Sequence, residues 1–367
     1  MVLMIENTRL RRTLLVLAIL FVAGIITVLE NSGNKSHVPT DASNLPESEK
    51  GLPSAADFSG ATGWLNTPDN ASLDLVSLRG KVVLVDFWTY SCINCLHSLP
   101  HITALYDAYR DHGLVVVGSH SPEFAFETKR ANVAQAIARY GIHYPVAQDN
   151  DYGIWDAYSN HYWPAHYVVD QYGKIRGSHF GEGGYAETED QMRMLLTEAG
   201  YTDLPHKVEP LPDVSNGDRT CELYVNPRTC DGHSTFGNTE GYTPGQDVQY
   251  TFPAQPAPDR IYLDGLWTDG SESATAAHDG DGVQVDFRGA AVNLVAAGPD
   301  GACVQVLLDG KPMPSQYAAH DVTVEKTRTC LYLAGSRSYD VYAGPREGHT
   351  LELQVPAGFE LFTFDFT

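Results

Sequence analysis

The chain has 367 residues, 43% of them hydrophobic, six cysteines and a formal net charge of −22. That length is too great for one ordinary core and enough for two domains. The acidic balance excludes a nucleic-acid partner, because phosphate binding needs clustered Lys and Arg, and otherwise reports a well-solvated surface.

Arg9, Arg11 and Arg12 precede an uncharged run from Leu14 to Leu29, "LLVLAILFVAGIITVL". As a helix it spans about 24 Å. That is slightly short of a hydrocarbon core of about 30 Å, a gap that flanking residues and snorkelling arginines can close. The arginines should stay cytoplasmic, which places the rest of the chain outside. No small-x-small cleavage pattern follows in "ENSGNKSHVPT". Residues 1–30 therefore read as a cytoplasmic tail and a single transmembrane signal anchor crossing at 14–29, with a cleaved signal peptide as the other reading. Both put the folded body on the extracytoplasmic side. Residues 31–54, rich in Ser, Asn, Pro and charge, read as a flexible linker.

Residues 55–206 alternate strand and helix signals. "KVVLVDFW" is a continuous apolar run, the pattern of a strand buried on both faces. From Cys92 to Arg110 the spacing is helical, with Leu96, Leu99, Ile102, Leu105 and Tyr109 on one side. "GLVVVGSH" is a second buried strand, and "KRANVAQAIARYG" a helix ending at Gly141. "AHYVVDQYGKIRGSHFG" reads as two strands around a Tyr-Gly turn, and "TEDQMRMLLTEAG" as a closing helix. A βαβ unit, a hairpin and a helix make an α/β layer fold.

Within it, "FWTYSCINCLHSLP" places Cys92 and Cys95 three apart at a helix start. Free N–H groups and the positive end of the helix dipole meet the first sulfur and favour its thiolate, the nucleophilic form. Cys92 should attack, and Cys95, one turn deeper, should resolve the mixed disulfide. The spacing alone also permits half of a zinc site or a structural bridge. Asp86 stands six residues earlier inside the apolar strand, where a carboxylate is costly without a partner or a task. It is placed to take the proton from Cys95, or else it is a strand-end Asp bonded to backbone. His97 and His101 follow the pair and could complete a Cys₂His₂ set. A metal would compete with a redox-active thiol, so both histidines read as surface or packing residues and no metal is expected.

From residue 207 to 367 Pro, Gly, Asp and Thr rise and helical periodicity disappears. Short runs such as "DRIYLDGLW", "GVQVDFRG", "AVNLVAAG", "CVQVLLDG" and "FELFTFDF" recur between turn signals, the pattern of an all-β sandwich with its own core. The remaining cysteines fall into the pairs Cys221/Cys230 and Cys303/Cys330. Six cysteines allow fifteen connectivities, but in an oxidising compartment these two pairs read as structural disulfides.

"VVLVDFWTYSCINC", "SHSPEFAFE" and "GIHYPVAQDNDYGIWDAYSNHYWPAHYVVDQYGKIRGSHFGEGGY" resemble the thioredoxin superfamily. The wording is most similar to its extracytoplasmic, membrane-tethered branch, the TlpA-like proteins and the soluble C-terminal region of DipZ-type proteins. The resemblance covers roughly 55–205. It implies a thiol-disulfide oxidoreductase whose redox-active disulfide, Cys92–Cys95, serves in place of any other cofactor. It implies that Pro164 is the cis-proline beside the disulfide and that the backbone of Trp163 pairs with a client strand. Trp88 would shield the site or simply pack the core. Glu123 would be a second acid, or an exposed residue at a helix start. Ile93-Asn94 replaces the Gly-Pro of cytoplasmic thioredoxin, so the direction of exchange stays open. Implied partners are exported cysteine-containing proteins and, for a reductase, a separate membrane electron donor.

The C-terminal part resembles the accessory domain of DipZ-type proteins, a jelly-roll sandwich similar to carbohydrate-binding modules, chiefly through "LDGLWTDGSESATA" and "VQVDFRGAAVNLV". It implies a possible envelope glycan partner, with Trp267, Tyr317, Tyr332, Tyr339 and Tyr342 as candidate platforms. Two further readings compete with the redox enzyme. One is an envelope glycan-binding protein with a subordinate redox domain. The other is a thiol peroxidase on the same fold, with Thr89 near its cysteine.

Overall fold

A computed structural model describes residue 46 and residues 50–211, 219–230 and 232–367. The apolar run 14–29 and its arginines lie outside the described residues, and among the described residues no helix is long and apolar enough to cross a membrane.

Residues 46–367 form one compact unit. Its first part is a six-stranded sheet in the order β1-β4-β3-β2-β5-β6. The strands are β1 (Gly63–Leu65), β2 (Val82–Trp88), β3 (Leu114–His120), β4 (Val146–Gln148), β5 (Ala165–Val169) and β6 (Ile175–Phe180). Helices α1 (Ile93–Tyr109), α2 (Arg130–Arg139), α3 (Gly153–Ala157) and α4 (Tyr185–Glu198) connect or close it.

β2 lies centrally, parallel to β3 and antiparallel to β5. Every residue of it is buried, as its unbroken apolar run requires. Leu99, Ile102, Leu105 and Tyr109 of α1 are buried and Leu96 is half-buried, while Pro100 takes a solvent-facing position inside that helix. The Tyr-Gly turn joins β5 to β6, with Gly173 at a positive φ of 74° that suits glycine. The sequence pattern did not single out β1 and β4. Both are three-residue strands, too short to carry a period.

The second part is β-rich, an 11-stranded antiparallel sheet built around one core. Hydrogen bonding runs continuously through it, where short separate strands were expected. "GVQVDFRG" and "AVNLVAAG" belong to one strand, Asp281–Ala297, which pairs along most of its length with Arg337–Val355. Irregularities between Gly289 and Ala291 and between Val292 and Asn293 carry the pairing through the turn-like residues. The first half of the strand pairs with Ile261–Asp269 and the second with Glu360–Phe366, so one strand serves two parts of the sheet.

The two parts share apolar contacts. Phe362 packs its ring 5.1 Å from Phe124 and 4.9 Å from Phe126. Tyr224, Val295 and Ala297 join the cluster that contains Leu99 and Cys95. Polar ties frame this seam. Arg139 of α2 lies 3.6 Å from Asp321, which Arg337 grips at 2.8 Å, and Glu272 accepts the Ala125 N–H at 3.1 Å.

Candidate active site

β2 ends at Trp88, and three residues later Cys92 caps α1 in an extended conformation (φ −70°, ψ 111°). Its Sγ accepts the Cys95 N–H at 3.3 Å, so the sulfur takes one of the N–H groups left free at a helix start. The i, i+3 spacing puts both sulfurs on one face, 2.8 Å apart, and both are free thiols. Cys92 is half-buried and Cys95 is buried, so Cys92 is the more accessible of the two sulfurs.

Glu127 holds the approach to this helix. Its buried carboxylate accepts the Ser91 N–H at 3.1 Å and the Ser91 hydroxyl at 2.7 Å, and also the N–H groups of Glu123 at 2.6 Å and Phe124 at 3.0 Å. The loop before Cys92 is thereby tied to the loop after β3.

Asp86 is buried on the floor of the site. The Tyr144 hydroxyl donates to it at 3.2 Å, and His166 Nε2, opposite it on β5, lies 3.4 Å away. The other neighbour is Gly118 on β3. A Cβ there would sit 2.9 Å from Trp88 Nε1 and 3.0 Å from the Tyr144 ring, so glycine leaves room for both rings. Trp88 itself is fully buried, edge-on to His120 with centroids 5.1 Å apart.

The Trp163–Pro164 peptide bond is cis and leads into β5. Trp163 is half-buried, donates its indole N–H to Ser121 O at 3.1 Å and packs 4.3 Å from Trp155. Cys92 and Trp163 flank the same apolar cluster.

Residues 54–178 match the AhpC/TSA family, and residues 220–367 match the thioredoxin-like C-terminal domain family. Protein DipZ of Mycobacterium tuberculosis is 37% identical over 317 residues, which is 85% of this chain and 42% of that protein. This chain thus spans less than half the length of that relative. Thiol-disulfide oxidoreductase YkuV of Bacillus subtilis is 30% identical over 143 residues, covering 39% of this chain and 93% of its own length. The chain belongs to the thioredoxin-like thiol-disulfide oxidoreductases. Among solved structures, the solution structure of a thioredoxin-like protein in the oxidised form is 27% identical over 40% of this chain and 97% of that one, with a TM-score of 0.35.

The β-rich part adds charge beside the two cysteines. Tyr224 donates to Glu123 at 2.5 Å and lies 2.7 Å from Glu222, while Arg228 stacks over the Tyr224 ring and lies 3.6 Å from Glu123. Glu123 is therefore covered by the second part of the chain, where the sequence alone allowed an exposed helix-start residue. Burial, then the charge of Glu222, pushes its carboxyl up to about 8. Asp365, buried beside Glu222, is held well above the usual carboxylate range by burial and by that neighbour.

The thiols differ from the sequence expectation. A helix start was expected to lower the Cys92 pKa, yet burial and the adjacent Cys95 push that thiol well above its ordinary value. The Cys95 N–H works in the other direction and is outweighed. Burial also raises Cys95, and the charge of Asp86 adds to the rise. The physical reason is burial against a cluster drawn from both parts of the chain, Tyr224, Val295, Ala297 and Phe362 included, which a local helix-dipole argument omits.

The remaining sequence candidates lie elsewhere. His97 pairs with Glu182 at 3.2 Å, and His101 is buried against Tyr185. Thr89 is buried 3.4 Å from His120. Cys221 is bonded to Cys230, and Cys303 to Cys330. Trp267, Tyr339 and Tyr342 are buried in the β-rich core, Tyr317 is half-buried, and exposed Tyr332 donates to Glu325 at 2.6 Å. Sequence reasoning missed Tyr144, His166, Glu127, Tyr224 and Asp365. Each meets the site only through the fold, and the one available signal was their polarity within apolar runs.

Raised thiol values fix the direction of a pH response. A thiol loses its proton as pH rises, so an elevated pKa moves the nucleophilic form to higher pH. Ionisation of Glu123 near 8 adds negative charge beside Cys92 and pushes in the same direction. Alkylation of reduced Cys92 by iodoacetamide is expected to rise about tenfold per pH unit from neutral pH, with no plateau below the ordinary thiol value of about 8.5. A plateau already reached at pH 7 would show a stabilised thiolate and contradict this electrostatic account.

Proposed function

We propose that this chain is a membrane-anchored, extracytoplasmic protein-disulfide reductase acting through its Cys-Ile-Asn-Cys motif. The observation that carries the reading is the free Cys92/Cys95 pair, 2.8 Å apart at a helix start, with burial holding both thiols above their ordinary value. Strong oxidants of this superfamily stabilise their reduced form through a depressed thiol pKa, and the opposite arrangement favours giving electrons away.

In the reaction, the Cys92 thiolate attacks a client disulfide, forms a mixed disulfide and expels one client thiolate. Cys95 then loses its proton, attacks Cys92 Sγ and releases the second client thiolate. Two electrons and two protons pass to the client, and the Cys92–Cys95 disulfide remains. Asp86, held by the Tyr144 hydroxyl and with His166 Nε2 3.4 Å away, is the group proposed to take the Cys95 proton. The cis Trp163–Pro164 bond is the proposed docking edge for the client strand. A separate membrane donor of electrons is proposed to restore the dithiol. Residues 1–30 are proposed as the anchor and 31–54 as the tether, supported by the apolar run 14–29 with arginines on one side. The bonds Cys221–Cys230 and Cys303–Cys330 suit an oxidising compartment.

Equilibration of the pair against dithiothreitol tests the direction. A potential below about −200 mV, in the glutaredoxin-to-thioredoxin range, is expected. A value near the DsbA range, about −120 mV, would make the protein an oxidant instead.

A further inference from the structure

Between the start of α1 and the β-rich part runs a cleft of about 410 Å³. Ile93 and Leu96 line one wall, and Ala291, Ala319, Ala343 and His320 line the other. Ile93 directly follows Cys92, so one wall of the cleft is built by the residue next to the attacking cysteine. Several of the cleft's polar groups are held by partners within the chain, while the buried Ser338 hydroxyl has none. His97 lies 3.2 Å from Glu182, Arg139 lies 3.6 Å from Asp321, and Asn293 donates to Asp340 at 2.7 Å. What remains open to an occupant is largely aliphatic surface.

We propose that this cleft receives an apolar side chain flanking the client cysteine, so that the preferred clients are unfolded or flexible polypeptide disulfides. The proposal rests on the disulfide-exchange reading above. The size of the cleft is that of a pocket for side chains or a small molecule, too narrow for a folded surface to enter. A single extended strand can place its cysteine at Cys92 and a neighbouring side chain between Ile93 and Ala343. A small charged disulfide such as oxidised glutathione gains little there, because the charged groups of the cleft are already paired and the aliphatic surface would stay wet. The β-rich part thereby acts as one wall of the client site, in addition to covering Glu123.

The test uses the full chain and three kinds of disulfide. These are a peptide whose disulfide cysteine is followed by Leu-Leu, the same peptide with Asp-Asp, and bis(2-hydroxyethyl) disulfide as a probe too small to need the cleft. The wild type should reduce the Leu peptide with a kcat/KM at least about tenfold above the Asp peptide, mainly through KM. Ala343→Arg and, separately, His320→Trp obstruct the cleft from exposed positions. Each should bring the ratio of the two peptides to within about twofold. Because the readout is a ratio within one protein, partial loss of folded material does not mimic it. No preference in the wild type, or a preference that survives both substitutions, overturns the cleft assignment. Failure of the wild type to reduce all three disulfides overturns the exchange reading itself.

Discussion

Cys92→Ser is expected to reduce exchange with any disulfide to the uncatalysed level, whereas Cys95→Ser should retain the first attack and accumulate mixed disulfides with clients. The asymmetry follows from geometry. Cys92 caps the helix and is half-buried, while Cys95 is buried one turn deeper. A serine at 92 leaves no accessible sulfur to form the first bond. A serine at 95 leaves that bond formed and removes the group that breaks it. Asp86→Asn should slow the second step alone, and more at pH 7 than at pH 9, because hydroxide can then replace a missing base. The amide keeps the size of the side chain and its contact with the Tyr144 hydroxyl. Trapping clients on each single variant and separating the adducts by non-reducing electrophoresis checks all three. Adducts on Cys92→Ser but not on Cys95→Ser would reverse the two sulfur roles. Absence of adducts on both would leave the pair a structural bridge.

Phe362→Ala is expected to destabilise the protein by about 3–5 kcal/mol, the range for truncating a buried phenylalanine. The ring is 3% exposed and meets Phe124 and Phe126 edge to face, so its loss opens a cavity at the seam between the α/β part and the β-rich part. For a unit of this size the melting temperature should fall by on the order of 10 °C. The same change should reach the chemistry. Phe124 adjoins Glu123, and Tyr224 belongs to the cluster that Phe362 completes. Loosening the seam admits water to Cys92, which lowers its raised pKa, so alkylation at pH 7 should become faster than in the wild type. Calorimetry and alkylation rates on the same sample test both effects. An unchanged melting temperature would falsify the shared core, and slower alkylation would contradict burial as the cause of the raised thiol.

Much of the fold was legible in the chain because its signals are local. An unbroken apolar run made β2, a 3.6-residue period made α1, and the Tyr-Gly turn made the β5–β6 hairpin. Two cysteines three apart at a helix start had to bring their sulfurs to one face. The long strands of the β-rich part were read as shorter pieces, because Gly289 and its neighbours look like a turn until a partner strand carries the ladder past them. The electrostatics of the site were not legible. Tyr144 reaches Asp86 across 58 residues of sequence and Tyr224 reaches Glu123 across 101. A helix start, taken alone, lowers a thiol pKa, and that is what the motif implied for Cys92. Only the tertiary structure places a second layer of chain over the sulfur. Desolvation there depends on everything packed around the group, so it outweighs the local helix N–H and raises the pKa that the sequence implied would fall.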